Sequence, residues 1–466
     1  MRYLAIIFTF LLSIQLYAGD DYNFEFVNAE YDDFIATVTF EHNNLPVGFQ
    51  AIKLGSSDFL MLKFDDLNNV ERHLYYRIIH CDKDWKPSAM REIDYLNGFN
   101  DERLRNYEYS TSTRIQYIHY WQRFPNKDTN FKISGNYLLV IYEDNIDRPV
   151  LTRRFIVSEN IVGIEVNDIF PSDVMNIRYK QEFDVNLINE SISMRNPIEE
   201  VNIVMLQNEN WNNTKTSKPN FIAGSTMRFN KLGTFEWWGN SEFREFDIRS
   251  FFRVGRGVKF IERKRDETDI LLQPIQSWRN KVHIAVFDFN GKFFIENWDA
   301  LQGASYLDIS DNVDAGEIQT TRNNIVGDLK ESSEEFFRNN VAEPRNINSD
   351  YAYITLYLED DIQLDDDENI YILGAFNNWT PSDAYRMTLD YNRGMYVGNL
   401  FLKQGYYNYC LAVVKDGIVD VAAMDGSWNE TENDYQVIVY YKGLGDLYDR
   451  IIGFTTYNTN LKTRQY

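Results

Sequence analysis

The chain reads as an all-β protein built from tandem immunoglobulin-like, early-set β-sandwich domains. Short apolar stretches with a period of two recur along it, each bounded by Gly, Asn, Asp or Ser. Its 466 residues include 31 Tyr and 32 Phe, side chains that suit a pleated, half-buried surface. Its 10 Pro and 24 Gly are too few for a low-complexity or disordered chain.

The first segment sets an expected compartment. One basic residue, Arg2, precedes the apolar run Leu4 to Leu12, and Ser13 to Ala18 leads into the polar Gly19-Asp20. This layout predicts a secretory signal peptide over residues 1–18, cleaved after Ala18. The run is shorter than the roughly 20 apolar residues that a membrane span requires. No Cys follows it to accept a lipid, and no later segment is long and apolar enough to span.

A length of this order predicts about three domains. Residues 19–158 form the expected N-terminal β-sandwich. It holds the buried strand Tyr137–Tyr142 and closes on the strand Arg153–Val157. Residues 159–300 form the expected middle β domain, with a strand at Val201–Leu206, the pair Trp237-Trp238 and the segment Phe243–Ser250. There Val282–Phe289 alternates and meets Asn290-Gly291, a strong hairpin signal. Residues 301–349 are polar and charged, which predicts a linker with a short helix near Asp328–Phe337. Residues 350–460 form the expected C-terminal early-set-like sandwich, with strands at Tyr351–Leu358, Ile370–Leu373 and Tyr435–Tyr440.

The net charge of −23 excludes a phosphate-tracking nucleic-acid binder and disfavours an anionic membrane surface. It fits a basic partner, and it fits the plain solubility of an exported protein better. Cys81 and Cys410 fall in different expected domains, so they read as two buried free thiols. They cannot form a local redox or zinc motif.

Catalytic patterns fail one by one. The histidines are His42, His73, His80, His119 and His283. His80-Cys81-Asp82 has the residue types of a thiol triad, but it lies in a strand where neighbours point to opposite faces. The nucleophile and its base therefore cannot meet. Asp365-Asp-Asp-Glu368 lacks the spaced ligands and turning Gly of a calcium loop and reads as solvated charge. Gly255-Arg-Gly257 and Gly443-Leu-Gly445 are fragments of phosphate-loop patterns in β-rich surroundings. A hydrolase using paired acids stays open in so acidic a chain, although nothing marks the pair. The sequence assigns no catalytic, metal or cofactor site, and it describes a protein that binds.

One local segment resembles the sandwich of glycogen- and starch-binding modules: Gly374-Ala-Phe-Asn-Asn-Trp379, then Phe401 to Tyr409. That resemblance implies a glycan-binding alternative, with aromatics stacked on sugar. It weakens where Cys410-Leu411 follows Tyr409, and where Ile418 stands in place of a second stacking aromatic. Trp379 then reads as core or loop packing.

A longer set of segments resembles one family. They are Cys81–Trp85, Asp94–Phe99, Ser110 and Thr113, Tyr117–Tyr120, Ile133–Leu139 and Leu151–Phe155, then Asn240–Ser250. They continue with Gly374–Trp379, Leu402–Tyr409, Gly426-Ser427, Thr431–Asn433 and Tyr448–Gly453. Together they are similar to the plug protein of the type IX secretion system. The resemblance implies a non-enzymatic subunit in the periplasm, on the periplasmic face of the outer membrane. Its partner would be the giant outer-membrane β-barrel translocon, whose periplasmic opening it would close when no substrate is in transit. It would reach the membrane only through that partner, with no nucleic acid and no small-molecule substrate. No contact residue of the family is tied to a motif, so the partner-binding residues stay unassigned.

Overall fold

In the computed structural model, residues 22–46, 48–279, 281–283, 285–299, 346–359, 362 and 364–460 are described. The expected signal peptide and the expected helix near 328–337 lie outside them. Strand makes up 47% of the structure and helix 7%, so the class is all-β, with several antiparallel sheets arranged as tandem sandwiches.

The first sandwich pairs two sheets. One runs in the order Ala29–Glu30, Pro149–Ser158, Gly135–Glu143, Leu74–Cys81, Glu102–Arg103, with Ala51–Lys53 added parallel to Pro149–Ser158. The other runs Ile35–His42, Leu60–Asp66, Ile118–Phe124, Tyr107–Tyr109. Leu60, Leu62, Phe64 and Tyr120 of the second sheet close on Ile78, Tyr137, Leu139 and Phe155 of the first in one apolar core. This is the ordinary burial of alternate side chains between packed sheets.

The expected division between residues 159–300 and 350–460 is not the one the strands make. Val201–Gln207 pairs along its whole length with Asp434–Tyr441, and Asp434–Tyr441 pairs with Arg450–Asn458. The last two strands of the described chain thus complete the second sandwich. They face the sheet of Gly163–Ile169, Lys180–Ile188, Thr226–Phe229 and Phe221–Ala223 across a core that includes Phe183, Trp237, Tyr435 and Val437. The third sandwich takes strands from both sides of the expected linker. Arg244–Asp247 and Phe293–Ile295 flank Gly405–Lys415, while Thr268–Leu272 lies parallel to Tyr351–Leu358. The chain therefore leaves the second sandwich for the third after Trp238 and returns to it before Asp434.

A further apolar layer lies between the first two sandwiches. Cys81, Leu138, Val140 and Ile156 of one meet Leu206, Ile438, Tyr440 and Ile451 of the other. Two sheets are consequently covered on both faces. In Gly135–Glu143 every residue but the last is buried, and in Asp434–Tyr441 every residue but the first. Continuous apolar runs are what double-sided burial requires of a strand.

The strand expected over Val282–Phe289 is absent among the described residues there, although Asn290 and Gly291 do turn with positive φ of 53° and 80°. Side chains take the backbone groups that a ladder would use. The Asp288 carboxylate accepts from the Phe243 and Asn290 N–H groups at 2.5 and 2.7 Å, and Asn408 Oδ1 accepts from Phe289 N at 2.6 Å.

Candidate functional site

The motif residues mark the seams between sandwiches. Lys403 lies at the end of Met395–Lys403 in the third sandwich, fully buried. Its Nζ lies 2.6 Å from Oδ2 of Asp65 in the first sandwich. Asp65 Oδ1 lies 2.6 Å from His119 Nδ1, and Asp65 Oδ2 accepts from Tyr351 OH at 2.6 Å. The ammonium also sits 4.1 Å from the centre of the Tyr117 ring. Burial alone would raise the Asp65 carboxyl, but Lys403 and His119 hold it below the usual carboxylate range. Tyr117 OH donates to the carbonyls of Asn346 and Ser349 at 2.7 and 2.8 Å, tying the start of the third sandwich to the first.

The residues after Lys403 brace the third sandwich from within. Gln404 Oε1 accepts from Asp350 N, and its Nε2 donates to Asp299. A Cβ on Gly405 would stand 2.5 Å from Phe294 O, so only Gly fits.

Asn240–Ser250 and Gly426–Asn433 lie at the two crossings between the second and third sandwiches, and they bind each other. Asn240 N donates to Ser427 Oγ at 2.9 Å, and Thr431 Oγ1 donates to Asn240 O at 2.8 Å. Asn433 Nδ2 donates to Gly239 O at 2.8 Å. Arg244 forms a buried pair with Asp425, at 3.0 Å from Nε and 2.6 Å from Nη2. Such bidentate geometry fixes orientation as well as charge.

Where the three sandwiches meet there is a cavity of about 390 Å³. Its wall includes Arg153 and Arg154 from the first sandwich, Glu209 and Trp211 from the second, and Lys292 and Trp379 from the third.

The residues considered for chemistry are placed as follows. His80 packs against Tyr95, Tyr137 and Tyr448, while Cys81 belongs to the apolar layer behind the sheet. Burial lowers His80 to about 4 and pushes the Cys81 thiol up. Cys81 and Cys410 are both free and buried. Lys415 Nζ lies 2.9 Å from both Asp365 and Asp367 and pairs with part of the acidic run. Among the described residues no cluster of His, Cys, Asp and Glu could hold a metal. Trp379 is buried against Phe243, with ring centres 5.5 Å apart. It is core, and the glycan-binding alternative has no supporting observation.

One end of the second sandwich carries an apolar tip that sequence patterning misses. Phe170 is 85% exposed, Val174 76%, Met175 87% and Leu232 68%. They stand on two loops joined by the buried Glu182, whose carboxylate accepts from the N–H groups of Ser172 and Gly233. The only trace in sequence is apolar residues beside Pro171 and Gly233, which read as ordinary loop.

Comparison with known proteins gives a family and a fold. Residues 35–159 match the model of the Type 9 secretion system plug protein 1st domain. No curated protein matches. A crystal structure of a hypothetical protein from Parabacteroides merdae ATCC 43184 aligns with a TM-score of 0.79 at 23% identity, covering 94% of this chain and 100% of that one. The fold, with its interleaved second and third sandwiches, is thus shared with a solved protein. The C-terminal domain of the Streptococcus pyogenes antigen I/II-family protein AspA aligns at 8% identity with a TM-score of 0.15, which is no likeness of fold. The chain's first sandwich therefore belongs to the type 9 secretion system plug family, the family that its sequence resembles.

Proposed function

We propose that the chain is a periplasmic plug that closes the periplasmic opening of the giant outer-membrane β-barrel translocon of the type IX system when no substrate is in transit. The family match over residues 35–159 carries this reading. That family is a secretion component rather than an enzyme family.

The physics of the fold supports it. A wide barrel holds a water-filled lumen unless something blocks it. A stopper has to be stiff, and here sheets stack face to face with buried polar seams between the units. A stopper also has to release, which favours a modest interface with a few side-chain anchors. The tip of Phe170, Val174, Met175 and Leu232 offers anchors of that kind, held in place by Glu182.

The test is to isolate the tagged chain from native membranes, with and without Phe170→Ser and Met175→Ser. The wild type is expected to bring down a very large outer-membrane barrel. The double variant is expected to bring down much less while its melting temperature is unchanged. Capture of no barrel by the wild type would refute the role.

A further inference from the structure

We propose that the cavity where the three sandwiches meet is a binding site for a carboxylate carried on a planar or apolar body, with Arg154 as its anchor. The charges on the wall lead to this. Arg153 is paired with Glu30. Lys292 Nζ lies 2.7 Å from Glu209, and Glu41 lies 2.9 Å from Lys63. Among the described residues no carboxylate pairs with Arg154. Its Nε donates to Phe26 O at 2.7 Å, and among the described residues its two Nη groups have no partner. Glu25, the one remaining acid on the wall, is exposed and is not among the groups that act on Arg154.

The guanidinium is held rather than loose. Its carbon lies 4.5 Å from the Trp85 ring centre and 5.6 Å from that of Trp211. The two indoles meet edge to face at 5.0 Å. Stacking of this kind fixes the plane of an Arg and leaves its fork free for a bidentate acceptor. Burial lowers its pKa to about 10, so it stays cationic at neutral pH.

Trp211, which carries one face of this stack, stands on the same wall as Arg154. Asn28, Asn212 and Asn378 complete a polar rim, and Trp379 and Phe293 supply apolar wall. A volume of 390 Å³ lies within the usual range for small-ligand pockets, about 300–1,000 Å³.

The carboxylate has two possible sources, a free small acid or the C-terminus of a polypeptide. Titration calorimetry on the mature chain separates them, using hippurate against its carboxamide, and an acetylated pentapeptide with a free C-terminus against its amidated twin. The site predicts that at least one acid binds and that its amide does not. Hippurate alone binding identifies a small-acid site, and the free peptide alone a polypeptide terminus. Arg154→Gln should abolish binding. Equal binding of acid and amide, no binding of either acid at millimolar concentration, or wild-type affinity in a folded Arg154→Gln would overturn the proposal. Should Arg154→Gln fail to fold, the acid–amide comparison decides alone.

Discussion

Lys403 of the third sandwich and Asp65 of the first meet at 2.6 Å, both about 1% exposed, although 338 residues separate them in sequence. A buried ion pair of this kind is weak evidence for stability, because desolvation offsets much of the attraction. Its partial removal is another matter. Asp65→Asn or Lys403→Met strands one buried charge and is expected to cost about 3–5 kcal/mol. The double variant should recover part of that loss. Denaturant unfolding of the two single variants and the double variant, as a thermodynamic cycle, measures it. Additive losses would mean that the two groups do not act as a pair.

Two buried acids at the outgoing crossing respond to pH in the opposite sense to Asp65. Burial raises Asp288 to about 7 and Glu242 to about 9. Glu242 Oε2 is buried without a partner, as fits a carboxyl that keeps its proton. A folded pKa above the unfolded one means that the native state binds more protons. The stabilisation is then complete below about pH 4 and is lost as pH rises toward 7 for Asp288 and 9 for Glu242. Asp65, held low, loses its contribution as pH falls. Glu242→Gln should flatten the decline in melting temperature between pH 5 and 9. An unchanged slope would show that Glu242 does not carry it.

Gly291 and Trp379 form a matched contact. A Cβ on Gly291 would stand 2.2 Å from Trp379 Cη2, and its φ of +80° already favours glycine. Gly291→Ala should destabilise by about 1–3 kcal/mol through overpacking. Trp379→Ala should cost about 3–5 kcal/mol through the cavity it leaves. Thermal unfolding checks both. Calorimetric heat with soluble α-glucan, lost in a folded Trp379→Ala, would instead revive the sugar-binding reading.

The first sandwich should not behave well alone. Residues 22–159 expressed by themselves would expose Leu138, Val140, Ile156 and Cys81, which the second sandwich covers in the whole chain. Exposed apolar area of that extent favours self-association. Size-exclusion chromatography should show oligomers or aggregate, and a clean monomer would mean that the apolar layer between the sandwiches is dispensable.

Some of this was legible in the sequence for clear reasons. Tyr137–Tyr142 and Tyr435–Tyr440 show as buried strands because burial on both faces leaves an unbroken apolar run. His80 and Cys81 fail as a catalytic pair by strand alternation, and the structure puts them on opposite faces. The interleaving was hidden because the pairing of Val201–Gln207 with Asp434–Tyr441 is non-local and leaves no periodic trace. Lys403 was hidden as one cation in a charged sequence, and only the fold brings Asp65 to it. Val282–Phe289 misled because alternation reports a face, and here a side chain, Asn408, takes the Phe289 N–H.

The proposed role of the chain is to close a translocon. Deleting its gene and measuring uptake of a bulky dye or antibiotic that the outer membrane normally excludes tests it most directly. The plug role predicts raised uptake, restored by the wild-type chain and restored poorly by the Phe170→Ser, Met175→Ser variant. A permeability barrier left intact by the deletion would contradict it.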